Sequence, residues 1–497
     1  MRSAERRRIL PVVLTLVLAA GCTGGPDPDP GPSTPTVERP FTVMSTDPVR
    51  VTDPAAMTES ASAMLALNVF QRLMTADPGE PVLKPDAGDC IVSAPTTYTC
   101  TLQDELTFHN GHALTSSDVE FSIERATRLN VAGSSAPLLA SLRKIETPDP
   151  RTVRFLLSRP DTQFGWALAS PAASIVDEEL YDADEVRPPD QPAVGSGPFA
   201  VAELDREHVS LTRFTTYKGR NPGKIDTLTY RTVADSATIE DAMSKGTVDV
   251  VWRGLNDPAL TRFAAQVERS PDELTDSGFG QEVLTGKRVL QIAWSPDSPS
   301  RSDNGLRQAI ALALQGDRTL DSVVPGGVPG HATTFPLGGK ATPKVTWKNR
   351  IKLTLGYDAT QPNGRDIAIQ IRSRLEDTGG LSVQLRPDDS SADLVLTDRK
   401  AWTPTALAWL QPYLDAPLDS SRDAVETVET EFRATDTFDD DEVQRLLTDL
   451  QQQAAADLLV LPISQSDEYV YARRGVQISP LSYGPGWQLG LFGISNG

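Results

Sequence analysis

The chain has 497 residues, 39% of them hydrophobic, and 67 acidic against 47 basic side chains give it a formal charge of −20. Acidity without a basic stripe excludes nucleic acid as a partner, because such binding needs clustered Lys and Arg to displace counterions. The sequence also holds no HExxH and no GxSxG elbow, so neither a zinc hydrolase nor a serine hydrolase of those types is encoded.

At the amino terminus, Arg2, Arg6, Arg7 and Arg8 precede an apolar stretch, Ile9 to Ala20, that is too short to span a bilayer. Ala19-Ala20-Gly21-Cys22 follows, and the whole resembles a bacterial lipoprotein signal, residues 1–21, with Cys22 as the lipidation site. Ala19 stands where Leu is commoner; ordinary secretion with a free Cys22 is the alternative. Removing the signal takes the net charge to −23. Residues 22–40 are rich in Pro, Gly, Asp and Ser, have almost nothing to bury, and read as an extended tether. About 455 residues remain, too many for one core, so at least two lobes are expected.

Cys90 and Cys100 flank Ala94-Pro95-Thr96, a plausible turn, and in an oxidising compartment they are expected to pair; a buried pair of free thiols is the alternative. In Leu106 to Arg125, Asn110-Gly111 predicts a tight type I′ hairpin turn. Thr115 with Asp118 predicts a capping box, with Val119, Ile123 and Ala126 on one helical face. From Ile351 an alternating strand, a helix with Ile367, Ile371 and Leu375 closed by Gly379-Gly380, and two further strands spell a βαβ unit plus a strand. Leu306 to Leu314 predicts another helix, and Val443, Leu446, Leu447, Leu450 and Ala454 form one stripe of a long one starting at Asp439 or Asp440. Strands and helices interleave throughout, so the class is α/β.

The strand, Phe-His-x-Gly turn and Asp-Val helix of Leu106 to Arg125 resemble the signature of the family 5 solute-binding proteins of ABC importers, the oligopeptide, dipeptide and nickel-binding group. Upstream, Ala63 to Leu73 resembles the family's first helix and Tyr98 to Leu102 its next strand; downstream, GSGPF at 195–199, Tyr217 to Asn221, GTVDVVW at 246–252, LRQAIALAL at 306–314 and LLVLPI at 458–463 follow in the family's order, so that the resemblance runs from about Val43 to Gly475. It implies a bilobed periplasmic-binding-protein type II fold (cluster C, oligopeptide-binding-like) with two crossing strands as a hinge. Lobe I would hold 41–270 and 464–497, with a subdomain at about 60–185, and lobe II 271–463. It further implies capture of a small peptide or peptide-like solute between the lobes by a monomer that is lipid-anchored on the extracytoplasmic face of the membrane. An ABC permease with its ATPases would be the partner.

The residues placed to meet that solute are Trp252 and Arg253 after the VDVV strand, Trp294 at the end of RVLQIAW, and Asp398, Trp402 and Trp409 in LTDRKAWTPTALAWL. Aromatic walls with one cation suit a ligand with an apolar side chain and a carboxylate. Each tryptophan could instead serve core or interlobe packing, and Arg253 could be a surface residue or a salt-bridge partner. Peptide binders usually carry a carboxylate for the ligand's α-amine in a Trp-x-x-Asp-Tyr-like stretch, which is rearranged here, so a modified peptide, siderophore-like or sugar ligand stays open. His109 and His112 are spaced like metal ligands but sit in the hairpin motif with too few other donors, so no metal and no cofactor are expected. No catalytic residue is assigned; a cell-envelope hydrolase with paired carboxylates, or a non-transport scaffold or chaperone lipoprotein, is the competing reading.

Overall fold

The computed structural model describes residues 39–77, 82–339, 347, 349–435, 440–484 and 486–497. The expected signal peptide, Cys22 and all but the last two residues of the tether lie outside them. Among the described residues no helix is long and apolar enough to cross a membrane.

A ten-stranded mixed sheet runs through the body of the chain. Its order is Leu381–Pro387, Ile351–Tyr357, Leu394–Arg399, Phe279–Trp294, Val460–Arg473, Val250–Trp252, Phe41–Ser45, Thr227–Thr232, His208–Arg213 and Phe199–Leu204. The two central strands are the longest, and they pair antiparallel from Phe279 with Arg473 to Ala293 with Val460. Beyond one end of this pair lies a core running from Val289 to Ile463. Beyond the other lie cores built on Phe41–Val250 and Val470–Ile494, and on Met44, Ile239–Phe279 and Tyr471. A separate four-stranded sheet, Gly88–Ala94, Thr97–Leu102, Thr152–Leu157 and Leu142–Asp149, covers a further core from Ala55 to Ile175. The fold is the bilobed α/β arrangement that the sequence implies, with the paired long strands as the crossing.

That crossing is not uniform. Register shifts fall between Leu284 and Arg288 and between Leu290 and Gln291, and Gly286 in the first irregularity has φ +67°. A β-bulge with a left-handed glycine bends a ribbon locally. The Gly286 N–H donates to Asp467 Oδ1 at 2.9 Å, and the Gln465 amide donates to the Gly286 and Gly326 carbonyls at 3.0 and 2.9 Å.

Local chemistry explains the elements. Helix Ser116–Leu129 begins at the Thr115–Asp118 capping box, with Val119, Ile123 and Ala126 buried. The βαβ unit forms as Ile351–Tyr357, Gly364–Glu376 and Leu381–Pro387, its strands parallel and its helix stopped before Gly379 at φ +82°. The long helix runs Asp440–Asp457 and buries Leu446, Leu447, Leu450 and Ala454; Asp439 lies outside the described residues. Cys90 and Cys100 stand opposite each other on adjacent strands and are bonded.

Two details differ from expectation. The first helix ends at Val69 rather than Leu73, because the Val69 carbonyl accepts from the Gly197 N–H at 2.8 Å and Phe70 turns extended. The turn at Asn110-Gly111 is not type I′, which needs positive φ at both residues: only Gly111 has it, at +91°. Gly111 N–H donates to the Phe108 carbonyl and Phe108 N–H to the His112 carbonyl, both at 2.9 Å, giving a three-residue loop with a left-handed glycine as its bulge.

Candidate functional site

The two family-like motifs nearest this loop hold each other. His109 Nε2 donates to the Gly197 carbonyl at 3.0 Å, while the Gly195 N–H donates to His109 Nδ1 at 3.3 Å, so the imidazole is neutral and fully engaged. A Cβ on Gly195 would lie 2.2 Å from the Val69 carbonyl oxygen, and one on Gly197 2.5 Å from the Val69 carbonyl carbon, so only glycine permits this approach. His112 Nδ1 instead meets Asp177 Oδ2 at 2.8 Å. Neither histidine is disposed toward a metal, and among the described residues no group of three or more His, Cys, Asp or Glu could hold one.

Where the long strands cross, a buried ionic cluster gathers from five segments. Arg253 follows strand Val250–Trp252 at φ +53°. Its guanidinium lies 2.8 Å from Asp398, 3.5 Å from Glu468 and 3.9 Å from Asp47. Asp398 Oδ2 also lies 3.1 Å from Arg288 Nε, and Glu468 Oε2 lies 2.7 Å from Lys400 Nζ, which donates to the Lys287 carbonyl at 2.7 Å. Ions this deep must be paired to repay their desolvation. Burial opposes the charge on Asp398, but Arg253, Arg288 and Lys400 overcome it and hold the carboxyl below its usual range. Burial likewise opposes Arg253 and is outweighed by Asp398, Glu468 and Asp47, so the guanidinium stays charged. Asp47 has only the more distant contact, and burial pushes it up to about 7.

The cluster is a wall between two cavities. One, of about 430 Å³, is lined by Arg253, Arg288, Gln361, Pro362, Asp398 and Glu468 among others. The larger, about 590 Å³ and open to solvent, is lined by Lys287, Val289, Val328, Lys400, Trp409 and Trp487 with the Gly and Pro residues of 325–329. Trp487 comes from the C-terminal segment of the opposite half. It is held at φ +62°, uncommon for a bulky residue, by its N–H donating to the Gly484 carbonyl at 2.8 Å. Beside it, a Cβ on Gly486 would lie 2.1 Å from the Ala401 carbonyl oxygen, so the halves meet backbone to backbone there.

The residues expected at the site therefore separate. Trp409 lines the larger cavity, 5.3 Å from the Arg399 guanidinium stacked on its ring, and Arg253 and Asp398 line the smaller. Trp252 is fully buried in the core of the first half, its indole N–H donating to Glu468 Oε1 at 3.1 Å, and Trp294 packs in the other core; neither lines either of these two cavities. Trp402 is half-buried against the core under the four-stranded sheet. Lys287, Arg288, Lys400, Glu468 and Trp487 were not singled out from sequence. Trp487, directly after Gly484-Pro485-Gly486, was the one signal available.

Comparison with known proteins agrees with this fold. The model of the bacterial extracellular solute-binding proteins, family 5 Middle, matches residues 91–422, about two thirds of the chain. Among curated relatives, the peptide transport periplasmic protein SapA of Salmonella typhimurium is 25% identical over 296 residues, 55% of this chain and 52% of its own length. The probable D,D-dipeptide-binding periplasmic protein DdpA of Escherichia coli is 27% identical over 301 residues, 57% of this chain and 56% of its own. The chain thus spans about half the length of the curated relatives it matches. Among solved structures, the binding protein AgaA of A. tumefacien in complex with agropinic acid superposes with a TM-score of 0.76 at 21% identity, covering 92% of this chain and 98% of that one. A dipeptide binding protein of Pseudoalteromonas in complex with Met-Leu gives 0.75 at 17%, covering 92% and 100%. The chain belongs to the bacterial extracellular solute-binding proteins of family 5.

Proposed function

We propose that this chain is the substrate-binding lipoprotein of an ABC importer. It captures a small peptide or peptide-like solute between lobe I, roughly 41–270 and 464–497, and lobe II, roughly 271–463, and delivers it to a membrane permease. The observation that carries this reading is the larger cavity, whose walls come from both halves of the molecule beside the bent crossing of Phe279–Trp294 and Val460–Arg473. Relatives whose names or titles give peptides, a dipeptide or agropinic acid as what they bind support a small organic solute. Trp409 and Trp487 are the aromatic walls, Lys287 and Lys400 the cations, and Arg253 with Asp398 the ionic joint between the lobes. Trp252, Trp294 and Trp402 act by holding strands and packing the halves rather than by touching the solute.

Solute must bind the closed form better than the open one, and moving the lobes from mostly open to mostly closed takes on the order of 5 kcal/mol of differential affinity. Small-angle scattering of ligand-free and saturated protein tests this: a smaller radius of gyration with solute is expected, and superimposable profiles would remove the closing motion. The anchor has its own test. Cys22→Ala should release the protein from the membrane fraction of cells into the soluble one, and an unchanged distribution would return residues 1–21 to an ordinary secretion signal.

A further inference from the structure

We infer that the solute of the larger cavity is an anion with an apolar or aromatic body and no free ammonium group. This deepens the solute-binding reading above and rests on it. The charged side chains lining the cavity are Lys287 and Lys400, and no Asp or Glu lines it among the described residues. Lys400 is matched by Glu468 behind the wall. Lys287 has no such match: its half-buried ammonium lies 3.9 Å from the centroid of the Trp487 ring, and among the described residues no carboxylate pairs with it. A cation held against an aromatic face at the mouth of a cavity, with a second cation in the same lining, is a receiver for negative charge. Burial and the neighbouring Lys400 both push the Lys287 ammonium below its usual range, a cost that an arriving anion would remove.

The same geometry argues against an ammonium on the solute. Glu468 is committed to Lys400 at 2.7 Å and Asp467 to the Gly286 N–H at 2.9 Å, while Asp398, the acid expected from sequence to receive one, is held through Oδ2 by Arg253 at 2.8 Å and Arg288 at 3.1 Å and faces the other cavity. Its Oδ1 is buried without a hydrogen bond, on a carboxylate already facing two guanidiniums. An amine entering the larger cavity would instead meet two like charges. The remaining lining of Val289, Val328, Pro329, Pro404, Trp409 and Trp487 offers apolar and aromatic surface for the body of the solute. Peptide-like solutes with a blocked amine and a free carboxylate have this chemistry.

Isothermal titration of the full chain with four probes tests the assignment: N-acetyl-alanyl-phenylalanine, its carboxamide, free alanyl-phenylalanine and free alanyl-phenylalanine amide. The acetylated acid should bind at least tenfold tighter than its carboxamide and tenfold tighter than the free dipeptide, with the cationic amide weakest. Lys287→Met, checked for folding by its urea midpoint, should bring acid and carboxamide within threefold of each other. A free dipeptide that binds as tightly as the acetylated one, or an undiminished acid preference in Lys287→Met, overturns this inference and leaves solute capture standing. Heat from none of the four probes overturns the peptide-like solute itself, and this inference with it.

Discussion

Arg125 and His109 show how single side chains carry the first half of the molecule. Arg125 is buried, and its guanidinium grips both oxygens of Asp53 at 2.9 and 2.6 Å, while Asp53 also caps the turn at Pro54 and accepts from the Arg187 N–H. Arg125→Ala would leave Asp53 charged and without its counter-ion in the interior, so unfolding stability should fall by about 3–5 kcal/mol, read from urea titrations. A fall under 1 kcal/mol would show that water reaches Asp53. His109 works through pH. Burial pushes its imidazole down to about 4, against the opposing Gly197 carbonyl. A histidine whose pKa drops on folding is neutral in the native state, so its contribution is complete above the unfolded value near 6.5 and is lost as pH falls toward 4, at most about 3 kcal/mol. Asp86 and Asp47, raised by burial to about 6 and about 7, act in the opposite sense and cost stability as pH rises through those values. The comparison must therefore be made against His109→Gln. The stability gap between the two proteins should shrink by more than about 1 kcal/mol from pH 7 to pH 4.5, and a constant gap would remove the assignment.

At the scale of elements, contacts between motifs matter more than the motifs alone. The 195–199 loop approaches helix Ser60–Val69 through two glycines, and Gly195→Ala would force a methyl against the Val69 carbonyl. A loss of about 1–3 kcal/mol is expected from such overpacking, with a wild-type urea midpoint as the contrary result. The bond between Cys90 and Cys100 closes a short loop on an edge strand that exposes Ile91 and Val92. Replacing both cysteines with Ala should cost about 2–3 kcal/mol on the loop-entropy account, measured under oxidising conditions. These elements also show what a sequence reveals. The Thr115–Asp118 box and the βαβ unit from Ile351 were legible because their signals are local: a cap three residues from its partner, an alternation, a glycine stop. The turn type at Asn110 was not, because the same Asn-Gly pair serves a two-residue and a three-residue loop and the hydrogen bond from Phe108 to His112 selects between them.

Across the whole molecule, the bilobed plan was legible from ordered motifs, but the site was only partly so. Arg253 and Asp398 could be placed at strand ends; that they bind each other could not, since 145 positions separate them and only the crossing strands bring them together. Trp252 precedes Arg253 by one residue yet turns into the core, as alternation along a strand requires. A further ion pair joins the halves. Arg433 of helix Arg422–Ala434 meets Asp161 at 3.1 Å, both buried, and the Thr162 N–H donates to the Arg433 carbonyl at 2.7 Å. Arg433→Ala would strand Asp161 in the closed form, so ligand-free protein should show a larger radius of gyration in scattering than wild type; an unchanged radius would mean the pair does not hold the lobes together.

The strand order has one more consequence. Val460–Arg473 lies between Phe279–Trp294 and Val250–Trp252, so the segment that unites the sheet is synthesised long after the strands it joins. A chain emerging from its amino end must keep the rim of Val250–Trp252 open until some two hundred further residues have arrived, a waiting interval in which a bare strand border invites foreign pairing. Maturation of the sheet is therefore timed by this late strand, and truncations before residue 460 should yield aggregates rather than a smaller working half.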